Sequence, residues 1–363
     1  MNNKRALIAM SGGVDSSVAA ALMCKSGYTC VGVTMKLYAG EETCNPRANS
    51  CCTLADVEDA RSVCYGLQMQ YFVSNFTEDF SEKVIDRFVA AYEAGETPNP
   101  CIDCNRYMKF DKLYDRARAL DCDTIVTGHY ARVVWDEARG RWLLKKALTE
   151  GKDQSYVLYF MTQEQLAHTM FPLGAYQSKE DVRKLAEQYG FINARKHDSQ
   201  DICFVQDGDY ADFIEQRTGR QFPPGDFVDE EGHALGQHRG IIHYTVGQRR
   251  GLGLALKEPM YVVRKNPEHN TVVLAYAKDA GSSGLIADEF NWILYDAPSE
   301  PVHVTVRTRY HAKETPATAE VLPDGSVHIR FETPQRAVAP GQAVVLYDGE
   351  NVVGGGTIVR AEK

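Results

Sequence analysis

The segment SGGVDSS over residues 11–17 carries the residue types that bind phosphate, and it follows a short apolar stretch over 6–10. Its glycines let the backbone adopt positive φ and approach a ligand closely, while serine hydroxyls and the N–H groups of a following helix turn point at an anion. No lysine follows the second glycine, so the spacing is neither that of a Walker loop nor G-x-G-x-x-G. The segment predicts an ATP pyrophosphate loop and cleavage between the α and β phosphates.

Asp15 lies within this loop, where a triphosphate is expected. A carboxylate beside phosphates is tolerated when it holds a magnesium ion, so we expect Asp15 to bind Mg²⁺. The alternative, a glycine-rich turn without a ligand, leaves the three serines unexplained.

Three cysteines in two segments of the chain are candidates for thiol chemistry. Cys101 and Cys104 form a C-x-x-C pair in a loop stiffened by Pro98 and Pro100, and Cys203 stands among polar and acidic residues. Reactive thiols are therefore one interpretation of these positions.

A structural zinc site is the competing interpretation, but the nearest further ligands, Cys44, Cys51 and Cys52, fit no standard zinc spacing. The remaining cysteines in helix or strand patterns are expected to be small core residues: Cys24, Cys30, Cys64 and Cys122.

The composition bounds the class of protein. The 363 residues are 44% hydrophobic and 25% charged, which suits two or three folded domains. No signal-like segment and no apolar run of bilayer length occurs, so we expect a cytoplasmic protein without a membrane partner, whose ten cysteines are reduced. A net charge of −9 argues against nonspecific coating of nucleic acid but permits a local basic surface, for which 139–152, 238–250 and 307–313 are candidates.

The first part of the chain alternates strand and helix patterns. Strands are predicted over 6–10, 29–35, 71–73 and 124–127, and helices over 16–25, from a Thr53/Asp56 cap to Gly66, from a Thr77 cap to Gly95, and over 108–120. This order predicts an α/β domain over 1–208 with a doubly wound parallel sheet. Gly128 and His129 follow the last of these strands, at the carboxyl edge where such sheets bind ligands.

The rest of the chain has a β texture. Short strand patterns bracket a turn at Asn266-Pro267, which predicts a small β-rich central domain over 209–282. Period-two patterns and the turns Asp324-Gly325 and Asp348-Gly349 predict a C-terminal β-barrel over 283–363.

Six motifs, in this order along the whole chain, resemble those of the tRNA-specific 2-thiouridylase (MnmA, or TrmU) family of the PP-loop ATP pyrophosphatases. They are residues 11–17, TPNP…CN over 97–105, TGHY over 127–130, KDQSY over 152–156, D…ICF over 198–204, and GQR…GLG over 247–253. The resemblance implies that ATP adenylates C2 of the wobble uridine U34 of tRNA. A protein persulfide then replaces the oxygen, giving 2-thiouridine, AMP and pyrophosphate.

The resemblance also implies roles for particular residues. Cys203 would carry the persulfide, and Cys104 would complete the transfer, leaving a Cys104–Cys203 disulfide; Asp15 joins them as a catalytic residue. The implied ATP contacts are Ala9, Met10, Ser11, Gly12, Gly13, Val14, Asp15, Ser16, Met35 and Gly128. The implied tRNA contacts are Asn99, Pro100 and Cys101 at the target base, and His129, Lys152, Asp153, Gln154, Arg309, Tyr310 and Gln342 elsewhere.

One departure from the family pattern leaves two mechanisms open. Many relatives have Asp where this chain has Cys101, so Cys101, Cys104 and Cys203 together supply three thiolates. In the first mechanism Cys203 carries a persulfide and Cys101 lines the base pocket. In the second, the three cysteines hold a [4Fe-4S] cluster whose open iron presents the sulfur.

The expected partners are the anticodon stem-loop of tRNA and a sulfur donor, either a cysteine desulfurase or a relay protein. Instead of contacting tRNA, Asp153 could cap a helix, and Arg309 could be an exposed residue of a strand without a ligand. A competing enzyme class with the same loop is the PP-loop ligase or synthetase of the argininosuccinate or GMP synthetase type, which does not need Cys104 or Cys203. A noncatalytic redox or metal-sensing protein is a further alternative.

Overall fold

A computed structural model describes residues 4–38, 53–149, 151–196, 202–205 and 209–363. The chain divides into two compact units. The first comprises Met1–Ile85, Pro100–Gly208 and Glu350–Val352, and the second comprises Asp86–Asn99, Asp209–Gly349 and Val353–Lys363.

A parallel sheet organises the first unit. Its strands and an added hairpin are Arg5–Ala9 (β1), Thr29–Lys36 (β2), Gln70–Asn75 (β3), Thr124–Val126 (β4), Ala131–Asp136 (β5), Arg141–Lys146 (β6) and Thr169–Met170 (β7). The sheet order is β3-β2-β1-β4-β7, with β1 parallel to both β2 and β4. The chain therefore winds in one direction to β2 and in the other to β4, which places a crevice beyond the carboxyl ends of β1 and β4.

The helices follow local sequence signals. Their bounds are Val14–Lys25, Leu54–Gly66, Thr77–Phe80, Ser81–Ile85, Asp86–Glu93, Pro100–Asp103, Cys104–Lys112, Leu113–Ala119, Gln163–Ala167, Lys179–Gln188 and Tyr210–Thr218, with short 3₁₀ turns at Ser155–Leu158, Pro172–Ala175 and Ile241–His243. The predicted cap at Thr53 is confirmed, because Thr53 Oγ1 accepts from Asp56 N at 3.1 Å and Asp56 Oδ2 accepts from Thr53 N at 2.7 Å. The apolar β1 residues Leu7 and Ile8 are fully buried.

Two predicted boundaries were wrong. The helix predicted over 108–120 begins at Pro100, so the segment expected to be a stiff loop is helical at Cys101 and continues as a π-helical stretch over Cys104–Lys112. Proline suits the first turn of a helix because its fixed φ is helical and its missing N–H would have no helical partner there. Thr77 is the first residue of its helix rather than the cap, and its N–H donates to Asn75 Oδ1 at 3.2 Å.

The second unit consists mainly of β structure. The strands Gly225–Val228 (β8), Ala234–His238 (β9), Met260–Asn266 (β10) and Thr271–Tyr276 (β11) form a sheet of order β10-β11-β8-β9. The strands Gly281–Trp292 (β12), Val302–Arg307 (β13), Thr315–Val321 (β14), Val327–Arg336 (β15), Ala343–Asp348 (β16) and Asn351–Glu362 (β17) follow in the order β12-β15-β14-β13-β16-β17. Pairing of β12 with β17 closes them into an antiparallel barrel.

These features confirm the predicted fold class of a doubly wound parallel sheet, a β-rich region and a C-terminal barrel. The predicted hairpin turns join β14 to β15 and β16 to β17. In the part of the chain that the structure describes, no helix combines the length and the apolar run needed to cross a bilayer.

Candidate active site

The loop between β1 and the helix Val14–Lys25 lies at the carboxyl edge of the sheet. Gly12 has a φ of +72°, in the left-handed region, and a Cβ there would lie 2.3 Å from the backbone oxygen of Asp56. Only glycine therefore fits this turn. The chain then enters the helix through Gly13, so the N–H groups of the first helical turn open toward the crevice, as an anion site requires.

Gly128 is fixed by the same close packing. A Cβ there would lie 2.8 Å from both Asp15 C and Ser16 N. The end of β4 therefore abuts the first turn of the helix, which brings the predicted ATP residue Gly128 to the loop. Ala9 ends β1, and half-buried Met35 lies near the end of the adjacent β2, at the same edge of the sheet.

The loop serines differ in what they contact. Ser16 and Ser17 are buried, and each hydroxyl donates to the Gly13 carbonyl at 3.0 Å. Ser11 is exposed, with its Oγ 3.2 Å from Ser16 Oγ. Ser11 is thus the serine placed to meet a ligand, whereas Ser16 and Ser17 brace the turn.

The Asp15 carboxylate is engaged by a cation of the protein. Lys179 Nζ donates to Oδ1 and Oδ2 of Asp15 at 2.7 and 2.6 Å, and the Tyr130 hydroxyl donates to Oδ1 at 2.8 Å. A magnesium ion on Asp15 would have to displace the ammonium from the same two oxygens. The arrangement does not fit the predicted metal ligand, and we derive no step through a metal ion at Asp15.

A second lysine braces the loop from another side. Lys196 Nζ donates to Asp56 Oδ1 and Asp59 Oδ2, both at 2.6 Å, and to the Gly12 carbonyl at 3.4 Å. Partial burial opposes its charge, but the two carboxylates outweigh burial and raise the pKa of Lys196. Lys196 is therefore a cation fixed next to the loop.

Cys203 is held by a tyrosine two residues beyond the end of β2. The Tyr38 hydroxyl donates to Cys203 Sγ at 2.7 Å. The Tyr38 and Phe204 rings both pack edge-on against Phe80, at centroid distances of 5.4 and 6.0 Å. Cys203 is half-buried, so its sulfur is oriented by contacts yet remains partly accessible.

Cys101 and Cys104 lie on neighbouring helical segments. Cys101 is exposed and Cys104, which opens the π-helical stretch, is half-buried. That stretch packs against the helix Thr77–Phe80, whose Phe80 also contacts Tyr38 and Phe204. One short helix therefore adjoins both segments that bear the predicted catalytic cysteines. Wide π-helical turns are frequent at functional sites.

In the part of the chain that the structure describes, the cysteines do not form a cluster of metal ligands. Among the described residues, the group of three ligand atoms lying within 4.8 Å of one another is Asp229, Glu231 and His233, on an exposed turn. Cys101, Cys104 and Cys203 form no such group in the described ranges. The candidate zinc ligands Cys44, Cys51 and Cys52, and motif residues 198–201, lie outside the described residues.

The core prediction for the other cysteines is confirmed for three of them. Cys30, Cys64 and Cys122 are buried, and half-buried Cys24 packs against the same core cluster. Burial raises the pKa of Cys64 to about 12, which keeps it as an unreactive thiol.

His129 is buried, unlike a typical RNA-contacting side chain. Its ring packs against Phe110 and Phe171, and its Nδ1 lies 2.6 Å from Thr127 Oγ1. Burial, reinforced by nearby Lys109, lowers the pKa of His129 well below its usual range, so the ring is neutral. The contact of His129 with tRNA stays a prediction. Burial of the ring does not favour a contact made by the ring itself.

Among the predicted tRNA residues Lys152, Asp153 and Gln154, Gln154 contacts Tyr130, the residue after His129. Gln154 Oε1 accepts from Tyr130 N at 2.9 Å, and Gln154 N donates to Tyr130 O at 2.8 Å. Asp153 accepts from Ala147 N and Ser155 N at 3.1 and 3.2 Å, which makes it an organiser of a turn. Lys152 is half-buried.

The other predicted tRNA residues differ in exposure and in the contacts they make. Arg309 is exposed in the segment after β13, which ends at Arg307, so its alternative as a strand residue was wrong. Tyr310 is half-buried and packs edge-on against His311. Gln342 Nε2 donates to Thr97 O at 2.7 Å. Asn99 is half-buried and Pro100 is buried.

Four residues that contact the loop or the sulfur were missed in the sequence: Tyr38, Lys179, Asn193 and Lys196. Each is brought to the site by a tertiary contact rather than by spacing within a motif. Tyr38 alone had a usable signal, because it follows a predicted strand whose carboxyl end faces the crevice.

Comparison with known proteins identifies the family. Residues 4–207 match the model of the tRNA methyl transferase HUP domain, 211–276 that of the tRNA methyl transferase PRC-barrel domain, and 282–358 that of the aminomethyltransferase beta-barrel domain. The tRNA-specific 2-thiouridylase MnmA of Acetivibrio thermocellus is 50% identical over 359 residues, covering 99% of this chain and 100% of that protein. The protein of the same name from Moorella thermoacetica is 50% identical, covering 97% and 98%.

Solved structures overlap only in part. A 4-thiouridine synthetase in an RNA complex with bound ATP aligns at 16% identity with a TM-score of 0.38, covering 60% of this chain and 50% of that one. At this TM-score the similarity does not indicate the function of this chain. The relatives that match over their full length confirm the family expected from the six motifs. The chain belongs to the tRNA-specific 2-thiouridylases, a family of sulfurtransferase enzymes.

Proposed function

We propose that this protein converts the wobble uridine U34 of tRNA to 2-thiouridine by adenylation followed by sulfur transfer from a persulfide. The observation that carries the proposal is the packing of the Cys104 segment and the Cys203 neighbours Tyr38 and Phe204 on the helix Thr77–Phe80, in the unit that contains the phosphate loop.

The first step needs an ATP site. In it, the uridine O2 attacks the α-phosphorus of MgATP, the α–β bridge breaks and pyrophosphate leaves. The adenylate makes O2 part of a good leaving group, AMP. The proposed ATP residues are residues 9–16, Met35 and Gly128. In the loop, main-chain N–H groups and the Ser11 hydroxyl face the crevice. Asp15 contributes by holding the Lys179 ammonium there.

The second step needs two thiols. A donor, a cysteine desulfurase or a relay protein, supplies sulfur to Cys203 as a persulfide. Its terminal sulfur attacks C2 and forms a carbon–sulfur bond. The Cys104 thiolate then attacks Cys203 Sγ, the persulfide S–S bond breaks, and its electron pair forms C=S as AMP leaves. A Cys104–Cys203 disulfide remains, which an external thiol must reduce before the next turnover.

The tRNA contacts complete the proposal. Asn99, Pro100 and Cys101 would contact the target base. The proposed contacts to the rest of the anticodon stem-loop are His129, Lys152, Asp153, Gln154, Arg309, Tyr310 and Gln342. We propose domains over 1–208, 209–282 and 283–363, supported by family-model matches that end and begin near these bounds. A cytoplasmic location suits chemistry that requires reduced thiols.

The test is a reconstituted reaction. Protein, MgATP, a cysteine desulfurase, cysteine and unmodified tRNA are incubated, and 2-thiouridine is measured by mass spectrometry of the digested tRNA. We expect product with wild type, none with Cys104→Ser or Cys203→Ser, and wild-type yield with Cys24→Ser as the matched control. Product from either catalytic variant would remove that cysteine from the mechanism. No product from wild type, with ATP cleavage dependent on a small substrate, would favour the ligase class.

A further inference from the structure

The peptide between Gly12 and Gly13 is held from outside the loop. The Gly12 carbonyl accepts from Asn193 Nδ2 at 2.9 Å and from Lys196 Nζ at 3.4 Å. Asn193 is 3% exposed, and its Nδ2 also donates to Ser17 Oγ at 2.9 Å. Lys196 is itself anchored by two carboxylates, so both donors are fixed. The direction of the Gly12 carbonyl is therefore set by residues about 180 positions away in the chain.

That direction decides where the next N–H points. In a planar trans peptide the carbonyl and the following N–H point in opposite directions. The Gly12–Gly13 bond is trans, so with its carbonyl turned toward Asn193 and Lys196, the N–H of Gly13 points away from them. A phosphate loop binds its anion through such N–H groups.

The peptide needs this support because it joins two glycines. Glycine populates positive and negative φ almost equally, so a Gly–Gly peptide can turn over at low cost. A turned peptide would aim the Gly12 carbonyl oxygen, rather than an N–H, at the bound anion. The nearby Asp56 backbone limits the turn on one side, and the Asn193 and Lys196 donors retain the carbonyl on the other.

We propose that Asn193 and Lys196 are positioning residues that hold the Gly12–Gly13 peptide so that the Gly13 N–H faces the pyrophosphate of ATP. The inference rests on the proposed ATP site. Neither residue touches the reacting atoms; both act through the Gly12 carbonyl.

Asn193→Asp tests the idea with little change in shape. It replaces the N–H₂ donor with a carboxylate oxygen that repels the Gly12 carbonyl. We expect ATP to bind about 10- to 100-fold more weakly, the cost of leaving such a buried group unpaired. The KM for tRNA should stay within about twofold of wild type. Arg195→Ala is the matched control, because the Arg195 side chain is 90% exposed and should leave ATP binding unchanged.

A spectroscopic readout separates peptide orientation from folding. In protein labelled with ¹⁵N-glycine, the Gly13 amide resonance without ATP should move in Asn193→Asp and in Lys196→Met, and Lys196→Arg should restore most of the ATP affinity. If Asn193→Asp does not fold, Lys196→Met and Lys196→Arg carry the comparison. If the folded variants bind ATP as tightly as wild type and their Gly13 resonance does not move, the inference is overturned but the proposed function is not. Failure of wild type to bind ATP would overturn the proposed function, and the inference with it.

Discussion

Replacing Tyr38 with phenylalanine removes one hydrogen-bond donor from the sulfur of Cys203. The Tyr38 hydroxyl donates to Cys203 Sγ at 2.7 Å, and the phenylalanine ring would keep the edge-on contact with Phe80 at 5.4 Å. The change therefore alters the electrostatics of the sulfur and leaves the aromatic packing in place. If Cys203 acts as an anion, as thiolate and as persulfide, this donor stabilises its reactive form.

The magnitude follows from the kind of bond that is lost. A hydrogen bond to a charged group contributes about 1.5–3 kcal/mol, which corresponds to an approximately 10- to 150-fold smaller thiolate population at neutral pH. The remaining thiolate becomes more nucleophilic, with a Brønsted exponent of about 0.4–0.5. The two effects oppose each other and leave a net loss of about 3- to 20-fold in the reaction rate of Cys203.

The assay is alkylation of Cys203 by iodoacetamide at pH 7.5, followed by peptide mass spectrometry. Tyr65→Phe is the matched control, because Tyr65 is 86% exposed and its variant should label Cys203 at the wild-type rate. Single-turnover 2-thiouridine formation by Tyr38→Phe should slow by a similar factor. Equal alkylation rates in wild type and Tyr38→Phe would refute the reasoning, since they would show that the hydroxyl does not stabilise the sulfur anion.

Three further outcomes are expected. Burial lowers the pKa of Lys265 to about 8 from 10.5, so the unfolded state binds more protons than the folded state between these pH values. The free energy of unfolding of wild type, measured in urea, should therefore rise by up to about 3 kcal/mol relative to that of Lys265→Met from pH 7 to 10.5. Parallel pH profiles of the two proteins would contradict this. Lys179→Met should weaken ATP binding about tenfold in titration calorimetry by leaving the Asp15 charge beside the phosphates, and adding Asp15→Asn should recover part of the loss. Anaerobically purified protein should contain neither iron nor acid-labile sulfide; about four irons per chain would favour the cluster mechanism.

Features that depend on neighbouring residues could be predicted from the sequence. The apolar stretch, paired glycines and serines of residues 5–17 specify a strand, a turn and a helix within a few positions. The Thr53/Asp56 cap is similarly local, because its two hydrogen bonds join residues three positions apart. The barrel hairpins followed from turn residues between period-two strands.

Features that depend on distant residues could not be predicted. The pairing of Asp15 with Lys179 joins positions 164 residues apart, and nothing in the local pattern of either residue indicates the other. The helix at Pro100 was missed for a different reason. The stretch over 98–104, with two prolines and two cysteines, resembles a rigid loop. The packing of the helix Pro100–Asp103 against the segment Ser81–Ile85 is a tertiary contact that outweighs this local tendency.

Gln342 is predicted to contact tRNA, and the structure shows it in a hydrogen bond within the protein. Its Nε2 donates to Thr97 O at 2.7 Å, and Thr97 N donates to Pro340 O at 2.8 Å. Lys265 Nζ donates to the adjacent Glu96 carbonyl at 3.2 Å. Residues 96–97, which lead into the proposed base-contacting residues, are thus fixed by hydrogen bonds from two β structures. A side-chain amide has two N–H donors and an acceptor oxygen, so the bond to Thr97 leaves capacity for RNA. The predicted tRNA contact and the observed tether are therefore compatible, and a loss of thiolation in a Gln342 variant would not by itself identify a tRNA ligand.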